Sequence, residues 1–129
     1  MIKEKKEFKV SVVIPTYNRV AYLGRAINSV LKQSYPVNEI IVIDNGSTDQ
    51  TLSFIKKKFN SIRVIIEKKR GVSFARNLGI KNCKYNWIAF LDSDDEWITD
   101  KIEKQFILLK KSNFKYQFIH TNEIWIKNG

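Results

Sequence analysis

The sequence holds one cysteine, Cys83, one histidine, His120, two prolines and five glycines in 129 residues. A single cysteine rules out an internal disulfide and a cysteine-rich zinc site, and it suits a reducing compartment. With so little glycine and proline the chain is neither fibrous nor low-complexity. No apolar run approaches the roughly 20 residues needed to cross a bilayer, and the charged start "MIKEKKEF" lacks the apolar centre of a signal peptide. These features read as cytosolic. Two phosphate-binding patterns are also missing. There is no GxGxxG after the first apolar run and no GxxxxGK[ST], so neither a dinucleotide dehydrogenase nor a P-loop NTPase is supported.

What is present is a core and a positive charge. Hydrophobic residues make up 43% of the chain and aromatic residues 12%, enough for one domain spanning residues 1–129. The formal charge is +10, with basic clusters at Lys3, Lys5 and Lys6, Lys56 to Lys58, Lys68 to Arg70, and Lys110 with Lys111. Such a surface favours an anionic partner, whether a nucleotide, a nucleic acid or the inner face of a membrane, although a merely solvated lysine-rich surface explains the charge equally well.

Short β-branched runs alternate with helical periodicity. Strands are predicted at Lys9–Pro15, Glu39–Asp44, Arg63–Glu67 and Trp87–Leu91, with a fifth at Tyr116–His120. The first helix is expected to hold Val20, Leu23, Ile27, Val30 and Leu31, with Asn18 as its cap. The second carries Leu52, Ile55 and Phe59 behind Ser47 or Asp49, and the third runs from Val72 to Asn82, where Ala75 and Gly79 permit close packing. The fourth opens at Asp100 with Glu103 placed for a capping box, and Ile102, Phe106 and Leu109 form its inner face. Strands apolar on both faces and joined by helices indicate a Rossmann-like α/β fold, a mostly parallel sheet with helices on both faces. The apolar end at Ile124, Trp125 and Ile126, with no closing helix, reads as a domain cut short.

In such a sheet, ligands bind outside the carboxyl ends of the strands. Tyr17 and Asn18 follow the first strand, Asp44 and Asn45 the second, and Asp92, Asp94 and Asp95 the fourth; the strand order 3-2-1-4 would bring all three groups to one crevice. The stretch "DSDDE" sets three aspartates and a glutamate in five residues. Crowded carboxylates repel unless a cation neutralises them, and Mg²⁺ or Mn²⁺ takes one or two carboxylates together with substrate phosphates. A solvated turn that helps to cap the next helix is the plainer alternative. Tyr17 is a stacking surface or a core tyrosine, and Asp44 a ribose or base acceptor or a cap for "NGSTD". Arg76 is a phosphate ligand or a surface arginine, while His120 and Cys83 read as structural.

Taken in order, "VSVVIPTYNR", "EIIVIDNGSTDQT", "GVSFARNLGI" and "FLDSDDEW" resemble the family-2 glycosyltransferases with the GT-A nucleotide-sugar-binding fold. The resemblance spans Val10 to Trp97. It implies an inverting, metal-dependent transfer of sugar from a nucleoside-diphosphate sugar to a hydroxyl acceptor, saccharide or lipid-linked, in surface polysaccharide or glycoconjugate synthesis. By the same resemblance Pro15 and Tyr17 contact the base, and Asp44 and Asn45 hold base and ribose. Asp92-Ser93-Asp94 matches the DxD motif and contacts the ribose, Asp94 and Asp95 hold Mn²⁺ or Mg²⁺, and Arg76 and Asn77 approach the nucleotide. Many members carry a second aspartate where this chain has Asn45, which keeps an acceptor for a uracil N–H but loses charge and adds a donor; UDP is the expected carrier. The family's general base lies beyond residue 129, so donor binding without full activity is expected of this chain. Two other readings compete. A nucleotidyltransferase lacks its glycine-rich phosphate loop here, and a nucleic-acid-binding domain is opposed by "DSDD" in the crevice.

Overall fold

The computed structural model describes residues 7–128, so Lys3, Lys5 and Lys6 lie outside the described residues. Four strands, β1 (Val10–Thr16), β2 (Glu39–Asp44), β3 (Arg63–Ile66) and β4 (Trp87–Phe90), alternate with four helices, α1 (Val20–Leu31), α2 (Thr51–Lys58), α3 (Val72–Asn82) and α4 (Lys101–Lys111). The sheet is parallel throughout, in the order β3-β2-β1-β4. The chain therefore reverses its direction of winding between β1 and β4, which creates the expected crevice at their carboxyl ends.

Side chains alternate across a strand, and both faces are covered. Val10, Val12 and Ile14 of β1, with Ile40 and Val42 of β2, pack against Leu23, Ala26, Ile27 and Val30 of α1, Ile55 of α2, and Ile102 and Leu109 of α4. The opposite face, Val13, Ile41 and Ile43, takes Ala75 of α3. Each fully buried large aliphatic side chain contributes about 1.5–3 kcal/mol. Gly79 lets α3 sit close to the sheet, since a Cβ there would meet Val13 Cγ2 at 3.0 Å and Cγ1 closer still. Cys83 is half-buried at the edge of this second cluster, and burial is the main influence pushing its thiol pKa up.

Three local expectations give way to tertiary contacts. Asn18 does not cap α1; its Oδ1 accepts from the Thr48 and Asp49 N–H groups instead, at 2.7 and 3.2 Å. Glu103 forms no capping box, because its carboxylate accepts from the Ser34 hydroxyl at 2.8 Å while Asp100 pairs with Lys104 at 2.7 Å. Gln33 serves the start of α4 from outside, its Oε1 accepting from Ile102 N at 3.1 Å. The expected strand at 116–120 is absent: the segment pairs with no neighbour, only Ile119 packs on the core, and Phe118 is 81% exposed. A strand without a partner ladder has little to hold it. His120 lies exposed on this tail. Among the described residues, no helix is long and apolar enough to cross a membrane.

Candidate nucleotide-sugar site

At the carboxyl ends of β1, β2 and β4 an open cleft of about 380 Å³ is lined by residues from each strand end and by the start of α3. Of the residues singled out from the sequence, Pro15, Tyr17, Asn45, Arg76, Asp92, Ser93 and Asp94 line it. Asp44, Asn77 and Asp95 are not part of its wall. A wider recess of about 470 Å³ lies between the outer face of α1 and the 96–99 loop, with Arg25, Lys32, Lys58 and Trp97 around it. Size does not select the site. Only the smaller cleft sits at the switch point of the sheet.

The loops that frame the cleft are tied together. Asn18, in the left-handed region at φ 49°, donates its N–H to Ser47 Oγ at 2.9 Å and holds the "NGSTD" loop through Thr48 and Asp49. Within that loop Gly46, at φ 83°, makes the turn, and Asp44 Oδ2 accepts from Gly46 N and Ser47 N at 3.1 and 3.0 Å. Asp49 accepts from the Thr51 N–H and hydroxyl and from Val20 N, and the Thr51 hydroxyl is the first of the contacts that hold its carboxyl below the usual range. Two helix starts thus depend on one aspartate.

Asp44 is almost fully buried, and its other oxygen, Oδ1, has no partner among the described residues; neither has Thr16 Oγ1, on the cleft wall, nor Arg76 Nε. A buried polar atom without a partner costs about 1–3 kcal/mol. Two of these atoms belong to cleft-lining residues, Thr16 and Arg76, and Asp44 lies next to the wall residue Asn45; a polar ligand in the cleft would offer Thr16 and Arg76 partners. Asn45 is different, because its amide is in use: Nδ2 donates to Glu67 O and Lys69 O at 2.9 and 2.7 Å, and Oδ1 accepts from Gly71 N at 2.8 Å. The extra donor that asparagine brings is therefore absorbed by the β3–α3 loop, and one lone pair of Oδ1 remains for a ligand.

The acidic loop is partly neutralised from within. Arg76 Nη2 pairs with Asp92 Oδ1 at 2.8 Å, and Arg19 Nε stands 3.8 Å from Asp94 Oδ2. Arg25 donates to the Asp94 carbonyl at 3.4 Å and pairs with Glu96. Asp95 pairs with no cation among the described residues, and its carboxyl is pushed up, first by burial and then by the charges of Asp94, Asp92 and Glu123. No group of three or more His, Cys, Asp or Glu side chains that could hold a metal forms among the described residues. The arrangement fits a hard cation held by one or two carboxylates and completed by substrate phosphates, not a cage built by protein alone.

Two charged cleft residues were not singled out as site residues in the sequence: Arg19, which follows "PTYN" directly, and Arg70, which ends the basic run "EKKR". Arg70 lays its guanidinium 3.5 Å from the centroid of the Tyr17 ring. Position within a charged run was the only available signal.

The profile of glycosyl transferase family 2 matches residues 11–123, which include every residue lining this cleft. The chain belongs to glycosyl transferase family 2. It is 49% identical over 116 residues to an uncharacterized glycosyltransferase of Rickettsia felis, covering 88% of this chain and 19% of that protein. It is 36% identical over 126 residues to Escherichia coli WfgD, a UDP-Glc:alpha-D-GlcNAc-diphosphoundecaprenol beta-1,3-glucosyltransferase, covering 92% of this chain and 49% of WfgD. Among solved structures, S. aureus TarS 1–349 in complex with UDP superposes with a TM-score of 0.74 at 30% identity, over 82% of this chain and 33% of that one. Glucosyl-3-phosphoglycerate synthase of Mycobacterium tuberculosis, in a complex that includes Mn²⁺ and UDP, gives 0.55 at 26% identity, over 68% of this chain and 35% of that one. The family-2 chain thus spans about a fifth of the Rickettsia protein and about half of WfgD, and its parallel sheet with helices on both faces is that of a GT-A domain.

Proposed function

We propose that this chain forms the donor-binding part of an inverting glycosyltransferase, residues 1–129 of a larger catalytic domain, which transfers sugar from a UDP-sugar to a hydroxyl acceptor in surface polysaccharide or glycoconjugate synthesis. The observation that carries the reading is the convergence, in one cleft at the sheet's switch point, of an aromatic face, arginines and an acidic loop, with the buried Thr16 Oγ1 and Arg76 Nε left without partners among the described residues. A nucleoside diphosphate has the matching parts: a planar base, ribose hydroxyls and a charged diphosphate.

In this reading Tyr17 and Pro15 form the base wall, and Asn45 Oδ1 and Asp44 Oδ1 accept from base and ribose. Asp92 and Ser93 meet the ribose. Arg76 and Arg19, now paired with Asp92 and Asp94, supply positive charge to the diphosphate, with Asn77 behind Arg76 on the same helix. Asp94 and Asp95 would hold Mn²⁺ or Mg²⁺. When bound, such an ion supplies electrostatic stabilisation of the leaving diphosphate. The acceptor hydroxyl must lose its proton to an acidic base, which we assign to no residue of this chain, so the 129 residues bind donor with little or no transfer. Robust sugar transfer by this chain alone would contradict that assignment.

WfgD is named for a lipid-linked acceptor. A lipid-linked acceptor and peripheral contact with the inner membrane face are proposed here too, on the strength of the basic surface. Sedimentation with anionic vesicles at low salt is the expected result, and its absence would remove the membrane contact.

Calorimetric titration of the chain with UDP and with GDP, each with and without Mn²⁺, tests the donor site. The expected outcome is Mn²⁺-dependent binding of UDP in preference to GDP, lost in an Asp94→Ala, Asp95→Ala variant that still folds. Equal binding in the variant would overturn the metal assignment, and preference for GDP would overturn that of the base.

A further inference from the structure

The guanidinium carbon of Arg70 lies over the Tyr17 ring, 3.5 Å from its centroid, the spacing at which a planar base would stack. Tyr17 is the aromatic side chain on the cleft wall, so one face of the ring assigned above to the base is already occupied, although Tyr17 as a whole is 38% exposed. The cover is lightly held. Apart from the ring, the contact of Arg70 is one long hydrogen bond from Nη1 to the Asn45 carbonyl at 3.5 Å, and no carboxylate pairs with it among the described residues. Its backbone is held far more firmly. Asn45 takes the Lys69 carbonyl on one side and the Gly71 N–H on the other, and Gly71 sits at φ 132°, a conformation that side-chain-bearing residues rarely adopt. The loop is tied by two hydrogen bonds to the Asn45 side chain, the Arg70 side chain by one long hydrogen bond and the ring.

Resting on the donor-site reading above, we propose that Arg70 is a displaceable lid on Tyr17: its guanidinium fills the base slot, gives way to the base when nucleotide enters, and re-pairs with the diphosphate. The exchange runs in the right direction. An exposed cation–π contact is weak, whereas a guanidinium forms two parallel charge-assisted hydrogen bonds to a phosphate. Arg19 and Arg76 already have carboxylate partners in the cleft, which leaves Arg70 as its guanidinium without an ionic partner among the described residues. A lid of this kind penalises a nucleoside, which must displace the arginine without compensation, and favours a nucleoside diphosphate, which captures it.

The test is chemical-shift titration of the chain with uridine and with UDP and Mg²⁺, for the unmodified protein, Arg70→Ala and Arg70→Lys. Arg70→Ala is expected to bind uridine roughly two- to five-fold more tightly, the strength of the lost stacking contact, and UDP about ten-fold more weakly. Arg70→Lys keeps the charge without the planar fork, and should recover much of the UDP affinity while uridine stays tighter than in the unmodified protein. A merely structural arginine would shift both ligands in the same direction. Uridine binding no tighter in Arg70→Ala than in the unmodified chain, including undetectable binding in both, overturns the lid while the UDP titration still reports on the donor site. Failure of the unmodified chain to bind UDP at all overturns the donor reading and the lid with it.

Discussion

Glu39 and Asp44 stand at opposite ends of β2, and the fold treats them in opposite ways. The Glu39 side chain is 6% exposed and fully engaged: Arg63 donates to Oε1 at 2.6 Å, while the Ser11 hydroxyl and Lys84 N donate to Oε2 at 2.6 and 2.9 Å. Ser11 Oγ in turn accepts from Tyr85 N at 3.2 Å, so the network joins three strands and the approach to the fourth. Burial pulls the Glu39 carboxyl pKa upward, but the Lys84 N–H, the Ser11 hydroxyl and Arg63 together outweigh it and leave it lowered. Asp44 has one oxygen bonded and one without a partner, beside an equally unpartnered Thr16 hydroxyl. One end of the sheet is closed to further bonding; the other is built around unmet demand. That difference separates the carboxylate that holds the sheet together from the one to which we assign a ligand contact.

The comparison breaks most visibly at the closed end. Glu39→Ala removes the buried side of an ion pair whose Arg63 side chain is 40% exposed and leaves the Ser11 and Lys84 donors without their acceptor, so a loss of about 1–3 kcal/mol in denaturant unfolding is expected. UDP affinity of the folded protein should not change. The pH dependence has a definite sign. Because the folded-state pKa of Glu39 is lowered, its stabilisation is present in full above the ordinary glutamate value, and is lost as pH falls through the lower folded value. An acid unfolding series should therefore show a loss that Glu39→Ala lacks.

Between the two ends, Gly79→Ala forces a methyl group against Val13. Overpacking of this kind costs about 1–3 kcal/mol, and thermal unfolding should show it without altering the order of nucleotide preference. At the open end the outcome should invert. Asp44→Asn keeps an acceptor for the 46–47 turn, so stability should change by less than about 1 kcal/mol, while UDP affinity in a titration falls about ten-fold.

The smallest effect is expected at Asp95. Its carboxyl is raised by burial and by neighbouring negative charge, so the ionised form is disfavoured in the folded state above that raised pKa. Asp95→Asn should raise the melting temperature slightly at neutral pH, within the roughly 0.5 kcal/mol typical of surface changes. The gain should fade as pH falls through the raised value towards that of an ordinary aspartate.

The same contrast shows what the sequence made legible. Runs such as "SVVIP" and "EIIVID" are apolar on both faces and admit little besides buried parallel strands, and α3 spans Val72 to Asn82 as its pattern indicates. The crevice followed from strand order. Polar residues with several possible partners were harder to read. Asn18 and Glu103 have the right identity and position for caps, yet each is taken by a side chain or loop about 30 or more residues away. Arg70 offered only a charge in a charged run, because its role depends on where Asn45 pins the loop. The 116–120 segment alternates well enough for a strand, but alternation cannot supply a neighbour to pair with.

The most direct test of the account is backbone amide chemical-shift mapping of the chain on addition of UDP with Mg²⁺, followed by trace Mn²⁺ to broaden nearby resonances. The account predicts shifts at Thr16 to Asn18, Asp44 to Ser47, Lys69 to Gly71 and Asp92 to Asp95, broadening centred on Asp94 and Asp95, and silence around Ser11, Glu39 and Lys84. Perturbations gathered instead at the recess around Arg25, Lys32 and Trp97, or at the Glu39 end of the sheet, would contradict it.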